Sequence, residues 1–406
     1  MCPVIILHYH EIALKGRNRD QFERQLVANV RRGIGGGEAV EVRRMSGRIA
    51  VRWMEDVSVA RLRDMAAKLR RVFGIANLRL GYEVRSDREG LAEETVRVVR
   101  MHLAAYPVDS QPKTFAVRAK RSTKMYPEHS TEIERRIGAA VQVATGLRVH
   151  LDAPDCLVSL EIVERTAFVL LEKIPGVGGL PVGSSDRVLT LLSSGFDSPV
   201  AAWKLLRRGC VVDSIHFHSY PYTSDASIRN VEDIVQRLVE WGGSGVLHAV
   251  PLAEFQKSVL MSAPTELRVV LYRRMMVRVA EAVARQTRAW ALVTGESVGQ
   301  VASQTLPNIA AVDTVATMPI LRPLIGEDKQ DIIDRASVIG TAEISARPYD
   351  DCCSLFTPEH PTTHARIQEC EDAERALRVT DWIPRLLAQT TSRCFVGGGI
   401  WKNVIR

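Results

Sequence analysis

The stretch LTLLSSGFDSPVAAW, residues 189–203, decides the fold. Arg187–Leu192 reads as a buried strand, Ser193–Ser198 is mostly small and polar, and Pro199 suits the first turn of a helix, where its missing N–H costs nothing. A strand that runs through a Gly/Ser turn straight into a helix opens a βαβ unit. The residues that follow keep the rhythm: a helix over Pro199–Arg208 stopping at Gly209, a strand over Val211–His218, a helix over Val231–Trp241, a strand over Val246–Leu252, a long helix over Glu266–Thr287 and a strand over Trp290–Thr294. This alternation predicts an α/β doubly wound parallel sheet with its ligand crevice outside the carboxyl ends of the strands. Backbone N–H groups of the Ser193–Ser198 turn, with a helix dipole behind them, make an anion site at that end. No G-x-x-x-x-G-K-[ST] occurs, so the turn is not a Walker loop.

Ahead of this region the composition breaks at IPGVGGLPVGSSD, residues 174–186, which has no helical or strand period and reads as a linker. Before it the elements are short and mixed. A strand over Val4–His8, a helix over Asp20–Arg32, a strand over Arg48–Trp53 and a helix over Val57–Val72 fit a small ferredoxin-like α+β domain over residues 1–76. The pattern restarts near residue 78. In Thr114–Arg121, TFAVRAKR, Phe115 and Val117 point one way while Arg118 and Lys120 point the other. Thr131 with Glu134 reads as a capping box for a helix ending at Gly146, and Cys156–Val163 with Thr166–Lys173 as a strand pair. The expected divisions are 1–76, 77–173, a linker at 174–186, and 187–406.

The net charge of +7 is unevenly placed. Residues 1–175 hold 30 basic and 22 acidic residues, a net of +8, against 24 and 25 in residues 176–406, a net of −1. Of the 54 basic residues 44 are Arg, whose guanidinium suits phosphate contact and base stacking. A GC-rich genome is the competing reading of the Arg excess, but it does not explain the asymmetry, which points to a nucleic-acid-binding front part. At 46% hydrophobic and 25% charged the chain is neither disordered nor fibrous. No apolar run approaches the ~20 residues of a membrane span, and no leader pattern opens the chain. Seven cysteines in 406 residues read as reduced thiols, so the expected compartment is the cytoplasm.

The short S-x-G-x-D-S turn resembles the pyrophosphate loop, S-G-G-x-D-S, of adenylating enzymes of the adenine nucleotide alpha hydrolase-like, or PP-loop ATP pyrophosphatase, class. One position departs from that pattern: Ser194 stands where the loop has Gly, and a left-handed backbone there would strain a Ser. Together with other blocks in order, the chain resembles the tRNA 4-thiouridine synthetases, the tRNA sulfurtransferases. HEIALKGRNRDQFE is similar to that family's opening, FAVRAKRSTKMYPEHSTEIERRIG to its RNA-binding THUMP domain, and YRRMM, TGESVGQVASQT and RPYDDCCSLFTPEHPTT to its adenylating domain.

This resemblance implies ATP contacts at Leu191, Leu192, Ser193, Ser194, Gly195, Asp197, Ser198, His216, Phe217, Arg273, Gly295 and Gln304. It implies tRNA contacts at Lys15, Arg17, Arg118, Lys120, Arg121 and Lys124. His216 and His218 share a strand face, but no third ligand makes them a metal pair. Of the vicinal Cys352 and Cys353 the alignment favours Cys353 as sulfur carrier, with Cys352, Cys370 or Cys394 to resolve the disulfide; Asp197 completes the catalytic set. ATP with Mg²⁺ would adenylate O4 of the uridine at tRNA position 8, and a persulfide sulfur would displace AMP to give 4-thiouridine. Only 53 residues follow Cys353, too few for the rhodanese domain of some members, so sulfur is expected from a partner cysteine desulfurase. The family also implies a homodimer and, in some members, sulfur delivery to a thiamine carrier protein. The competing readings are a THUMP-type RNA-binding protein with an impaired loop, another PP-loop thiolase or an amide-forming synthetase. A THUMP methyltransferase lacks support, because no Gly-rich methyl-donor loop follows the first rear strand.

Overall fold

The computed structural model describes residues 1–36, 39–122, 126–163, 166–349, 356, 358, 360–396 and 400–403. The chain forms two units, Met1–Pro181 and Val182–Arg406.

The first unit contains β1 (Cys2–His8), α1 (Arg19–Ile34), β2 (Val40–Met45), β3 (Arg48–Trp53), α2 (Val59–Leu69), β4 (Asn77–Val84), α3 (Arg88–Ala104), β5 (Thr114–Arg121), α4 (Ser130–Thr145), β6 (Arg148–Val149), β7 (Cys156–Val163) and β8 (Thr166–Pro175). Its strands form one eight-stranded sheet in the order β2-β3-β1-β4-β8-β7-β5-β6. Alternation along β1 sends Ile5 and Leu7 into the core beneath α1 and α2, where Leu26, Val30, Leu62 and Leu69 meet them. A second core, with Val98, Phe115, Ile133 and Ile137, lies beneath α3 and α4. Strand β4 joins the two halves, antiparallel to β1 on one edge and to β8 on the other. Its register shifts between Leu80 and Gly81, and a Cβ at Gly81 would lie 1.9 Å from the Val169 carbonyl oxygen, so only glycine fits that bulge.

The capping reading at α4 needs correction. The helix starts at Ser130, and the Glu132 carboxylate, not Glu134, takes the cap N–H, that of His129, at 2.7 Å. Glu134 instead accepts the Ala119 N–H at 2.8 Å and ties α4 to β5. Strand β2 and helix α3 go beyond the elements expected from sequence: β2 lies at the sheet edge with largely exposed, charged side chains.

The second unit contains β9 (Arg187–Leu191), α5 (Asp197–Arg207), β10 (Val211–His218), α6 (Ala226–Val239), β11 (Val246–Pro251), α7 (Ala253–Ser262), α8 (Arg268–Thr287), β12 (Ala291–Val293), α9 (Leu306–Asp313), β13 (Ile320–Leu321), α10 (Lys329–Ile339), α11 (Ala342–Ser345), α12 (Ile367–Leu377), α13 (Val379–Gln389), β14 (Thr391–Val396) and β15 (Ile400–Asn403). The sheet order is β13-β12-β9-β10-β11-β14-β15. The first five are parallel, as the strand–helix rhythm predicts, and β14 and β15 extend the sheet antiparallel beside β11. Helix α8 is buried along most of its length, packs against β9 and β12 and closes the main core. With β9 between β12 and β10, its carboxyl end opens at the middle of the sheet, where the Ser193–Ser198 turn begins.

Candidate active site

Strand β9 ends at Leu191, and the chain turns through Ser193–Phe196 into α5. Among the described residues no side chain caps this helix start, and uncapped leading N–H groups of this kind are able to take an anion. The turn is braced internally. Ser193 N–H donates to Ser198 Oγ at 2.8 Å, the two hydroxyls lie 3.0 Å apart, and Ser345 Oγ donates to the Gly195 carbonyl at 3.2 Å.

The departure at Ser194 carries no backbone strain. Among the described residues only Arg288 and Arg378 are non-glycines with positive φ. The Ser194 side chain turns inward, 1% exposed, and donates to the Ser227 carbonyl in the first turn of α6 at 3.1 Å. The Ser194 hydroxyl therefore pins α6 to the turn.

Asp197 is held from two directions: Lys329 Nζ lies 2.6 Å from its Oδ1, and Gln300 Nε2 donates to Oδ2 at 3.0 Å. Gly295, just past β12, packs so closely on the helix start that a Cβ would meet Ser198 N at 2.6 Å and Asp197 C at 2.7 Å. Beside it, the buried Glu296 takes Arg273 Nη1 at 2.5 Å, Arg322 Nε at 2.7 Å and the Thr294 hydroxyl at 2.9 Å. Burial acts to raise the Glu296 carboxyl, but the two guanidiniums and these hydrogen bonds outweigh it and hold the group below the ordinary glutamate range. Arg273 also reaches the Ser303 carbonyl at 3.4 Å, and Gln304 Oε1 accepts the Ser297 N–H at 3.2 Å. Arg273, Gly295, Gln304 and the turn thus form one connected cluster.

At the neighbouring strand end, Leu192 N–H donates to the Ile215 carbonyl at 2.8 Å and His216 Nδ1 donates to the Leu192 carbonyl at 2.9 Å. Leu191 packs at the edge of the main core, and the Phe217 ring is buried in it, so Phe217 offers the crevice only its backbone. His216 and His218 stack with ring centroids 6.4 Å apart. Burial, then the adjacent His216, pushes His218 down to about 4. Among the described residues no group of three His, Cys, Asp or Glu is placed to hold a metal ion.

Spacing rules do not reveal Gln300, Glu296, Arg322 or Lys329. Lys329 is 132 residues from Asp197 in sequence, and no local period links them. Glu296 and Gln300 lie inside TGESVGQVASQT, where an acid and an amide beside two glycines are a visible signal.

Cys352 and Cys353 lie outside the described residues. Cys370 is fully buried, and that burial raises its thiol pKa. Cys394 sits on β14 as a free thiol.

In the first unit, Arg118 and Lys120 are exposed on β5. The Arg118 guanidinium donates to the Leu151 carbonyl at 2.8 Å. Arg121 turns inward and braces the chain ahead of α4 through the Tyr126 and Glu128 carbonyls, at 3.1 and 2.7 Å. Lys15 lies 5.1 Å from the Phe22 ring centroid, and Arg17 is exposed at a groove lined also by Arg19, Arg24, Arg31, Arg43 and Arg44. Lys124 lies outside the described residues.

Three family models match: "Thiamine biosynthesis protein (ThiI)" over residues 183–379, "ThiI ferredoxin-like domain" over 4–78 and "THUMP domain" over 92–172. The chain is 41% identical to a "Probable tRNA sulfurtransferase" of Brevibacillus brevis, over 95% of each chain. It is 40% identical to one of Thermus thermophilus, over 92% of this chain and 89% of that one. Among solved structures, "a 4-thiouridine synthetase - RNA complex with bound ATP" superposes with a TM-score of 0.87 at 34% identity, covering 97% of this chain and 99% of the other.

Proposed function

The chain belongs to the ThiI family of tRNA sulfurtransferases, and on that premise we propose how its own residues carry out ATP-dependent sulfur transfer to tRNA. The solved 4-thiouridine synthetase that it resembles is a complex with RNA and bound ATP. The observation that carries the reading is the uncapped start of α5 at the end of β9, with Asp197 fixed beside it by Lys329 and Gln300.

The nucleotide phosphates would lie on N–H groups of the turn after Ser193, whose own N–H is held by Ser198, with Arg273 and Lys329 as nearby cations. Gly295 keeps the wall of the crevice close, and His216 and Gln304 line its flank. Mg²⁺ would enter as a companion of the phosphates and be held chiefly by them, with Asp197, already engaged by Lys329 and Gln300, as the carboxylate of the loop. Its contribution would be to neutralise charge on the leaving pyrophosphate.

In the proposed reaction, O4 of the uridine at tRNA position 8 attacks the α-phosphorus and pyrophosphate departs. A persulfide on Cys353, or on Cys352, then attacks C4 through its terminal sulfur, and AMP leaves with the former O4. The remaining sulfur–sulfur bond to that cysteine is cleaved by a second thiol, leaving 4-thiouridine on the RNA and a disulfide on the protein. A cysteine desulfurase would supply the sulfur, and the same persulfide would serve a thiamine carrier protein. A homodimer and a cytoplasmic site of action complete the proposal. No described helix is long and apolar enough to cross a membrane, and the described cysteines are free.

The alternative of an impaired loop rests on Ser194. Its ordinary backbone and inward hydroxyl support a working loop instead. The test is to incubate the protein with unmodified tRNA, Mg-ATP, cysteine and a cysteine desulfurase. The digested tRNA is then examined for 4-thiouridine by near-ultraviolet absorbance and mass. Tight tRNA binding with neither AMP nor thiolated base would favour the RNA-binding reading.

A further inference from the structure

The turn between β10 and α6 holds two aromatic rings out in solvent. It reads Ser219-Tyr220-Pro221-Tyr222-Thr223, with Tyr220 53% and Tyr222 44% exposed. The mount beneath them is rigid. Ser219 and Gln256 are fully buried and joined, the Ser219 hydroxyl donating to Gln256 Oε1 at 2.6 Å. Ser219 O also accepts the N–H groups of Tyr222 and Thr223, at 2.8 and 3.3 Å. A cation is fixed against one ring, with Lys257 Nζ 4.0 Å from the Tyr222 centroid and in contact with its hydroxyl.

The turn follows the carboxyl end of β10, the end of the sheet at which the loop lies. Tyr220 comes two residues after His218, the last residue of β10. Tyr222 comes five residues before Ser227, whose carbonyl accepts the Ser194 hydroxyl. Five extended residues span at most about 17 Å, which bounds the distance from the turn to the loop. A base that reaches the loop must first leave its stack, and aromatic side chains are the usual replacement partners for unstacked RNA bases.

Resting on the sulfurtransferase reading above, we infer that Tyr220 and Tyr222 are a stacking platform for an unstacked pyrimidine nucleotide of the RNA, with Lys257 placed to meet its phosphate. The platform accounts for two costly exposed rings on a fixed backbone.

The test uses the product as its own probe, because 4-thiouridine crosslinks to touching groups under near-ultraviolet light. The full chain is irradiated with tRNA carrying 4-thiouridine at position 8 and then digested. The adduct is expected on Tyr220 or Tyr222, and an adduct confined to other segments overturns the platform. In parallel, Tyr220→Leu with Tyr222→Leu should raise the tRNA concentration for half-maximal thiolation by about 5- to 150-fold, the worth of a base stack. ATP affinity should not change. The Tyr→Phe pair should restore both crosslink and kinetics, which a merely structural role of the hydroxyls would not allow. If the wild type makes thiolated tRNA and the Leu pair equals it, the platform falls alone. If the wild type makes none, the underlying reading falls.

Discussion

Lys329, the first residue of α10, sets its ammonium 2.6 Å from the Asp197 carboxylate at the first turn of α5, joining two elements 132 residues apart in sequence. The pair fixes the one acid of the loop and leaves a cation at the edge of the anion site. Lys329 is also 5.8 Å from the Phe196 ring centroid, so its head group is held over the turn.

Asp197→Ala and Lys329→Ala should each lower ATP turnover by roughly 10²–10³-fold, the cost of removing one preorganised charge from such a site. tRNA affinity, measured by filter binding, should stay nearly constant. A parallel loss of tRNA binding would count against assigning the turn to the nucleotide.

Ser194→Ala should cost about 1 kcal/mol of stability in denaturant unfolding, because the buried Ser227 carbonyl loses its hydroxyl partner. Thiolation should persist. Complete loss of activity in a folded Ser194→Ala protein would mean that the hydroxyl serves the nucleotide rather than α6.

Glu296 titrates below its ordinary value in the folded protein. Its contribution to stability is therefore full above the unfolded-state value near 4.5 and is lost as pH falls through that value towards the lower folded one. Glu296→Gln should cost about 3 kcal/mol at neutral pH by taking the carboxylate from Arg273 and leaving Arg322 with Asp313 alone, and should flatten the acid limb of the stability curve. Unfolding midpoints across pH 3–7 check this sign, and parallel curves for the two proteins would refute it.

Charge reversal at Arg118 and Lys120 should weaken tRNA binding and reduce its salt slope by about 1 for each phosphate no longer neutralised. Arg121→Ala should act differently. It releases the carbonyls of Tyr126 and Glu128, so its first effect should be on unfolding of the first unit. Unchanged affinity in the reversed pair would remove β5 from the RNA surface.

Cys353→Ser should still form AMP from ATP in the presence of tRNA but yield no thiolated base, whereas Cys370→Ser should keep full activity because that thiol is buried and protonated. Full activity in Cys353→Ser would move the sulfur to Cys352.

Four of the five parallel strands are legible in the sequence because each announces itself locally, whereas the two-residue β13 is too short to show a period. Val211–His218 is apolar and β-branched, and Gly209 stops the helix before it. The loop is legible for the same reason, since all its parts lie within Ser193–Ser198. What local patterns do not show are partners set by the fold. Lys329 meets Asp197 only because α10 packs on α5, and Glu296 finds Arg322 only because β13 lies beside β12. Strand β2 escapes because an edge strand with polar residues on both faces has no clean alternation. At α4 spacing picks out Thr131 with Glu134, but the cap is His129, and the Glu134 bond to Ala119 on β5 is in fact a tertiary contact.

Strand β4 has a hydrogen-bonded neighbour along each edge, β1 from the ferredoxin-like portion and β8 from the THUMP portion. A chain cut after residue 76 would leave the flank of β1 bare, and one begun at 77 would bare the flank of β4. Either fragment would present a sticky row of unpaired amides, ready to recruit another copy. The two portions, though matched by separate family patterns, should therefore melt as one block and travel through gene rearrangements as a single cassette.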